Sequence, residues 1–246
     1  MPVAMKWAQF RFMPVLIDIK HNNMKSFISS IVLLALLPMC LSAQKTFYGT
    51  ITYSYDVEGD NVEQVRSMLP SGMSITYGKD AIATNIDGGM MGMSMGKIIV
   101  KDGQAFMIQD ESKTIFEMSK IEMEAIQKQQ AQMKPEITKL DGTREIMGYT
   151  CEKFSMTNPQ LPEPQILWIT KDLKAPEVQG MAMTQSPLGN VDIEGVALEV
   201  VTTIPQVGAK MIMTVTEMKE GEVPASTFEK PKDYETKPFS DFAGGR

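Results

Sequence analysis

Thioether sulfurs crowd into one short stretch of the chain, Gly88-Gly89-Met90-Met91-Gly92-Met93-Ser94-Met95-Gly96. Thioethers are soft, neutral donors, so Met90, Met91, Met93 and Met95 could together offer Cu(I) three or four ligands without a histidine. The same side chains are unbranched and polarizable, which suits them equally to a hydrophobic lid over an apolar ligand of variable shape. A third reading is a mobile glycine loop with no ligand role. Met181-Ala182-Met183 and Met211-Ile212-Met213 repeat an M-x-M spacing, which on an extended strand puts both sulfurs on one face. With 17 methionines beyond residue 43, however, the enrichment is in part a bias of the whole chain.

Nucleophilic catalysis finds little support. Gly92-Met93-Ser94-Met95-Gly96 matches the G-x-S-x-G elbow, but that serine needs a histidine base and a strand-turn-helix setting. The chain's one histidine, His21, precedes the apolar run Phe27 to Met39, and Lys97 onward reads as a strand. No C-x-x-C, H-E-x-x-H or phosphate-binding glycine loop occurs, and Asp56 to Asp60 lacks the spacing of a calcium loop. Paired carboxylates such as Asp110, Glu111, Asp141 and Glu145 could hydrolyse a glycosidic bond, but they fall at expected turns, where solvated charge is the ordinary explanation. The sequence therefore points to a non-enzymatic protein without a cofactor.

The stretch around His21 explains why that residue is set aside. Lys25 followed by Phe27 to Met39 and Leu41-Ser42-Ala43 has the charge, length and small-residue cleavage site of a secretory signal over residues 24–43. Residues 1–23 then read as an upstream extension. Ser29, Ser30 and Pro38 interrupt an apolar run shorter than the ~20 residues a membrane span needs. Acylation at Cys40 is the lesser alternative, because Met39 stands where a small residue is expected. Beyond residue 43 the chain carries 20 bases and 29 acids, a formal charge near −9, which disfavours nucleic acid and anionic headgroups as electrostatic partners. Cys151 has no internal partner there. A buried inert thiol is the first reading and a redox or intermolecular role the second.

Strand patterns dominate the rest. Phe47, Gly49, Ile51, Tyr53, Tyr55 and Val57 alternate with polar residues, the period of a half-buried strand. Val62, Val65 and Leu69 follow Asp60 at helical spacing and should stop at Pro70. Met73 to Tyr77 and Ala81 to Ile86 are strands. Lys97 to Lys101 and Gln104 to Gln109 flank Asp102-Gly103, a type I′ hairpin signal. Lys113 to Met118 is the next strand, and Ser119 with Glu122 forms a capping box for a helix to about Met133 with Ile121, Ala125 and Ile126 inward. Glu136 to Leu140, Gly148 to Met156, Gln165 to Thr170, Val196 to Ile204 and Lys210 to Met218 complete the strands. Residues 44–232 form a single domain, and 233–246 should fray. The expected class is α+β, mostly β: a bent antiparallel sheet with one or two helices packed on its concave face.

Arg144-Glu145-Ile146-Met147-Gly148-Tyr149-Thr150-Cys151-Glu152-Lys153-Phe154, then Leu167-Trp168-Ile169-Thr170-Lys171-Asp172-Leu173 and Phe228-Glu229-Lys230-Pro231, resemble a secreted Gram-negative family called domain of unknown function 4412. The resemblance implies a fold similar to the outer-membrane lipoprotein carriers, a half-barrel closed by helices over an apolar cavity. It implies no established activity. The residues' own reading is structural: Gly148 serves a tight turn or a close backbone approach, Tyr149 and Phe154 pack the sheet, and Trp168 is a core residue first and a ligand platform second.

Three functional readings follow. The leading one is a binding or carrier module in the periplasm, or at the periplasmic face of the outer membrane with peripheral membrane association, for an apolar ligand such as a lipid or acylated protein. The second is a Cu(I)-handling envelope protein. The third is a structural or interaction protein of the envelope.

Overall fold

In a computed structural model, the described residues are 44–60, 62–132, 135–157, 161–179 and 193–244. Residues 1–43, which include the expected signal and Cys40, and Met181-Ala182-Met183 lie outside them. Fourteen strands are found there: β1 (Lys45–Thr46), β2 (Gly49–Gly59), β3 (Gly72–Tyr77), β4 (Ala81–Asp87), β5 (Lys97–Lys101), β6 (Gln104–Gln109), β7 (Thr114–Met118), β8 (Glu136–Ile146), β9 (Tyr149–Thr157), β10 (Gln165–Thr170), β11 (Leu173–Lys174), β12 (Val196–Ile204), β13 (Ala209–Glu220) and β14 (Glu235–Pro238). Four α-helices accompany them: α1 (Val62–Met68), α2 (Gly89–Met95), α3 (Lys120–Gln132) and α4 (Phe239–Gly244). Twelve strands form one sheet in the order β14-β7-β6-β5-β4-β3-β2-β13-β12-β10-β9-β8, curved and not closed into a barrel.

That order is two meanders joined by one seam. Strands β2 to β7 pair in succession, as do β8, β9, β10, β12 and β13, and only β2 with β13 connects the two sets. The seam runs from Ala209↔Gly59 to Glu220↔Gly49, with one irregularity between Val215 and Glu217. Its ends need glycine. A Cβ on Gly49, at φ 133°, would lie 2.0 Å from the Lys219 carbonyl oxygen, and one on Gly59 would lie 2.4 Å from that of Gly208. The small parallel sheet of β1 with β11 adds a second tie, with the Lys45 amide donating to the Asp172 carbonyl at 3.0 Å.

The alternation read along β2 becomes burial: Ile51, Tyr53 and Val57 are buried while Thr50, Thr52 and Asp56 face outward. Ile51 and Tyr53 join Met73, Ile75, Tyr77, Leu167, Leu198 and Val215 in the main core, so both meanders share one apolar cluster. Each such side chain contributes about 1.5–3 kcal/mol by leaving water. On the same face of β5 to β7, Ile98, Val100, Met107 and Met118 pack against Met123 of α3 and beside Phe239 and Phe242 of α4. Helix α3 lies on the chain's path from β7, beside the β14 edge, to β8 at the opposite edge. Its capping box forms as expected: the Ser119 amide donates to Glu122 Oε2 at 2.8 Å and the Glu122 amide to Ser119 Oγ at 3.3 Å. Hydrogen bonds from Ser119, the side-chain one first, hold the Glu122 carboxyl below its usual range. The inward face is only partly the one expected: Ile126 packs inward beside the buried Met123, while Ala125 is exposed and Ile121 is 80% exposed.

The opposite face of β4 to β7 is covered by the segment after β13. Phe228 packs with Ala81, Ala83, Ile99, Phe106 and Ile115. Beyond it, where polarity suggests fraying, the described residues 233–244 include a strand and a helix. Residues Glu235 to Pro238 pair in parallel with Thr114 to Glu117, and the Phe242 ring lies 5.4 Å from that of Phe116 and 5.6 Å from that of Phe239. Two aromatic residues in a polar tail are enough to dock it. Phe242→Ala should lower stability by about 1–3 kcal/mol in urea denaturation, less than a fully buried Phe because the ring is half-buried. An unchanged midpoint would mean that the tail is frayed after all.

Candidate functional site

Residues 88–96 are not a loop. Gly89–Met95 forms α2, and its glycines serve close approach rather than mobility. A Cβ on Gly89 would lie 2.1 Å from the Leu69 carbonyl oxygen and one on Gly92 would lie 2.8 Å from that of Ile86, so only glycine lets this helix settle on the end of α1 and on β4. Both flanking residues, Gly88 and Gly96, have positive φ, 67° and 56°, and the Gly96 amide closes the helix on the Gly92 carbonyl at 2.8 Å.

Helical geometry separates the four methionines that the sequence groups. At about 100° per residue Met90 and Met93 fall near one direction and Met91 and Met95 near another. Met90 and Met93 are 64% and 60% exposed, Met91 is 36% exposed, and Met95 packs inward against both the main core and the cluster beneath α3. The helix therefore does not bring all four sulfurs to one face. It adds instead a neighbour that the sequence did not single out, because Met68, at the end of α1, is 51% exposed and α1 packs against α2. Its signal was its place in the last turn before Leu69-Pro70.

Beside these helices lies a cleft of about 410 Å³ lined by Tyr55, Val57, Arg66, Leu69, Pro70 and Gly89. Arg66 on its edge is held by Asp56, 3.4 Å from Nη2 to Oδ1. The Tyr55 hydroxyl donates to Met73 Sδ at 3.6 Å, and burial pushes its pKa to about 12. Burial also raises Tyr53 well above the usual phenol value, and its hydroxyl donates to the Ala197 carbonyl at 3.0 Å. Both phenols are thus neutral donors at physiological pH.

The other candidates stay apart. Ser94 Oγ donates to the Met91 carbonyl at 3.1 Å, a bond within its own helix rather than to a base. Asp110 and Glu111 lie in the β6–β7 turn, whereas Asp141 and Glu145 belong to β8, which continues past Leu140 through an irregularity ending at Thr143. Among the described residues no three His, Cys, Asp or Glu side chains gather as a metal site, and no helix is long and apolar enough to cross a membrane. Gly148 occupies a two-residue turn with Met147 at φ 54° and itself at 80°. Trp168 lies under the Arg144 guanidinium, 4.3 Å from carbon to ring centre, and Arg144 pairs with Glu199.

Cys151 is buried, and desolvation raises its thiol from 9.0 to about 11. An unfolded thiol ionises near 9 while the folded one stays protonated, so the stability it contributes below pH 9 is lost progressively as pH rises toward 11. In Cys151→Ala the fall in unfolding free energy between about pH 9 and 10 should be shallower than in the parent, as measured by urea titration. Parallel slopes would remove the buried-thiol assignment.

A comparison with curated proteins finds no match. Among solved structures the chain is similar to an uncharacterized conserved protein from Thermus thermophilus, with TM-score 0.46 and 11% identity over 85% of this chain and 99% of that one. It is also similar to PNGF-II, with TM-score 0.45 and 14% identity over 79% of this chain and 32% of that one, and so spans about a third of that protein. A domain described as outer membrane lipoprotein-sorting, from Vibrio parahaemolyticus, gives TM-score 0.30 and 9% identity over 76% of this chain and 92% of that one. Residues 68–234 match the family described as Domain of unknown function (DUF4412), which takes in more than half of the sequence from the end of α1 to the approach to β14: the chain belongs to that family.

Proposed function

We propose that the protein is an envelope binding module for an apolar ligand, such as the acyl chain of a lipid or of an acylated protein, held without covalent chemistry. The observation that carries this reading is the exposed thioether surface of Met68, Met90, Met91 and Met93 beside the cleft lined by Tyr55, Val57, Leu69 and Pro70. Four exposed methionines on two adjoining short helices are costly to leave in water. They also adapt their rotamers to a partner surface better than branched side chains do. Residues 24–43, read as an export signal, support an envelope location.

Chemistry at the cleft suits capture rather than turnover. Its phenol is neutral, its arginine is already paired and the Ser71 hydroxyl on its lining donates to the Asp87 carbonyl at 2.9 Å, so shape and apolar contact supply the affinity. The Cu(I) reading from Met90, Met91, Met93 and Met95 is weaker on this geometry, since the helix turns Met95 inward and sets Met91 in another direction from Met90 and Met93, so the four sulfurs do not share one face. Docking of an envelope partner on the same methionines is the remaining reading.

The triple variant Met90→Ser, Met91→Ser, Met93→Ser should weaken binding of the uncharged probe N-phenyl-1-naphthylamine about tenfold in fluorescence titration, with the fold retained by circular dichroism. Equal affinity in parent and variant would sink the methionine surface as the binding site.

A further inference from the structure

A second cleft lies at the other end of β3 and β4 from α2. Six residues of strand, roughly 20 Å, separate Gly72 beside α1 from Tyr77 at this end. Its volume is about 700 Å³, within the range of roughly 300–1,000 Å³ that holds small-molecule ligands. One wall is the β3–β4 turn, Gly78-Lys79-Asp80, and the other is the strap Gly221–Phe228 that leaves β13.

The cleft is built in advance, because both ends of the strap are pinned. At its start the Gly221 amide donates to the Tyr48 carbonyl at 3.1 Å, and near its end Lys97 Nζ donates to the Thr227 carbonyl at 2.9 Å. The ring of Phe228 lies so close to the turn that a Cβ on Gly78 would be 2.7 Å from it. Between the pins Tyr48, Tyr77, Val223 and Phe228 give an apolar lining.

The charges around that lining are not equivalent. Lys101 is half-buried, lines this cleft and also the adjoining one of about 390 Å³ on the far side of Phe228, and has no ion-pair partner among the described residues. Lys79 is a second such cation, on the exposed turn. The acids sit farther out: Asp80, Glu220 and Glu222 are exposed, and Glu220 is already paired with Lys45. A cation set inward with carboxylates around the rim favours one negative charge and disfavours a polyanion.

We infer that the cleft beneath the Gly221–Phe228 strap binds an anionic amphiphile, with its single charge on Lys101 and its hydrocarbon chain along Tyr48, Tyr77, Val223 and Phe228. The occupant is a monoanion with an acyl chain, whether a free fatty acid or a single-chain phospholipid. This site shares no lining residue with the methionine surface and stands without it.

The test is calorimetric titration of the chain from residue 44 onward with dodecanoate, monoacyl phosphatidylglycerol and dodecanol. At least one of the two anions should bind more tightly than dodecanol, and the tighter of them identifies the source. Lys101→Met keeps the apolar stem and removes the charge, and it should weaken that anion about tenfold while leaving dodecanol unchanged. Tyr48→Ala should weaken anion and alcohol alike. The inference is overturned if neither anion binds, if Lys101→Met leaves anion affinity unaltered, or if anion binding survives both variants and is lost in the Met90, Met91, Met93 serine variant. Failure of the methionine surface alone would leave Lys101-dependent binding in place, so the two sites fail separately.

Discussion

Everything in this fold hangs on the pairing of β2 with β13. Each meander could satisfy its internal hydrogen bonds alone, but neither alone buries the inner faces of Ile51, Tyr53, Met213 and Val215. Joining them makes one curved surface with a shared core, and the thirteen-residue α3, between β7 and β8, lies on the chain's path from one meander to the other. The glycines at the seam's ends are the places where that surface meets crossing backbone too closely for a side chain. The remaining additions cover what an open sheet leaves exposed. The strap lies on the outer face of β4 to β7, while β14 caps one edge and α4 returns to the inner face.

Covering an open sheet also decides where ligands can go. The two clefts described above occur where elements that were added to the sheet meet it imperfectly. One lies where α1 and α2 cross the end of β2 and β3, the other where the strap bridges from β13 to β4. At the first, Tyr55 of the sheet faces Arg66 and Leu69 on the added helical side; at the second, Tyr77 and Lys101 of the sheet face Val223 and Phe228 of the strap. Their difference is electrostatic: Arg66 at the first is neutralised by Asp56, whereas Lys101 at the second has no such partner among the described residues.

Most of the sheet was legible in the sequence, because period-two alternation survives in strands that bury one face. Asp102-Gly103 gives positive φ at both positions, 54° and 75°, joining the strands that it predicts, Lys97–Lys101 and Gln104–Gln109. Local rules failed where distant contacts set the outcome. Glycines in residues 88–96 signal a loop by propensity, but they are there to let a helix touch Leu69 and Ile86. Ile121 looks like a core residue by type, yet Met123 takes that place, and no periodicity distinguishes the two one turn from a cap. The tail after Pro231 looks solvated by composition, while Phe239 and Phe242 find Phe116 from more than a hundred residues away. The Lys101 cleft was invisible for the same reason: its walls are assembled from residues 48, 77, 101, 223 and 228.

The seam has a consequence for how the chain is made. A polypeptide that emerges from its N-terminus displays β2 more than 140 residues before β13 exists, an interval on the order of 10 s at ordinary rates of synthesis. During that time the β2–β7 meander would stand with one long unpaired edge, the kind of edge that recruits other chains. The alternating threonines and serine on its outer face, with Asp56, do not blunt that edge, since backbone groups rather than side chains are what is unpaired. The nascent chain is therefore most vulnerable to aggregation at the stage when it already has half a sheet, and a holding factor would have the most to protect just before the last strand arrives.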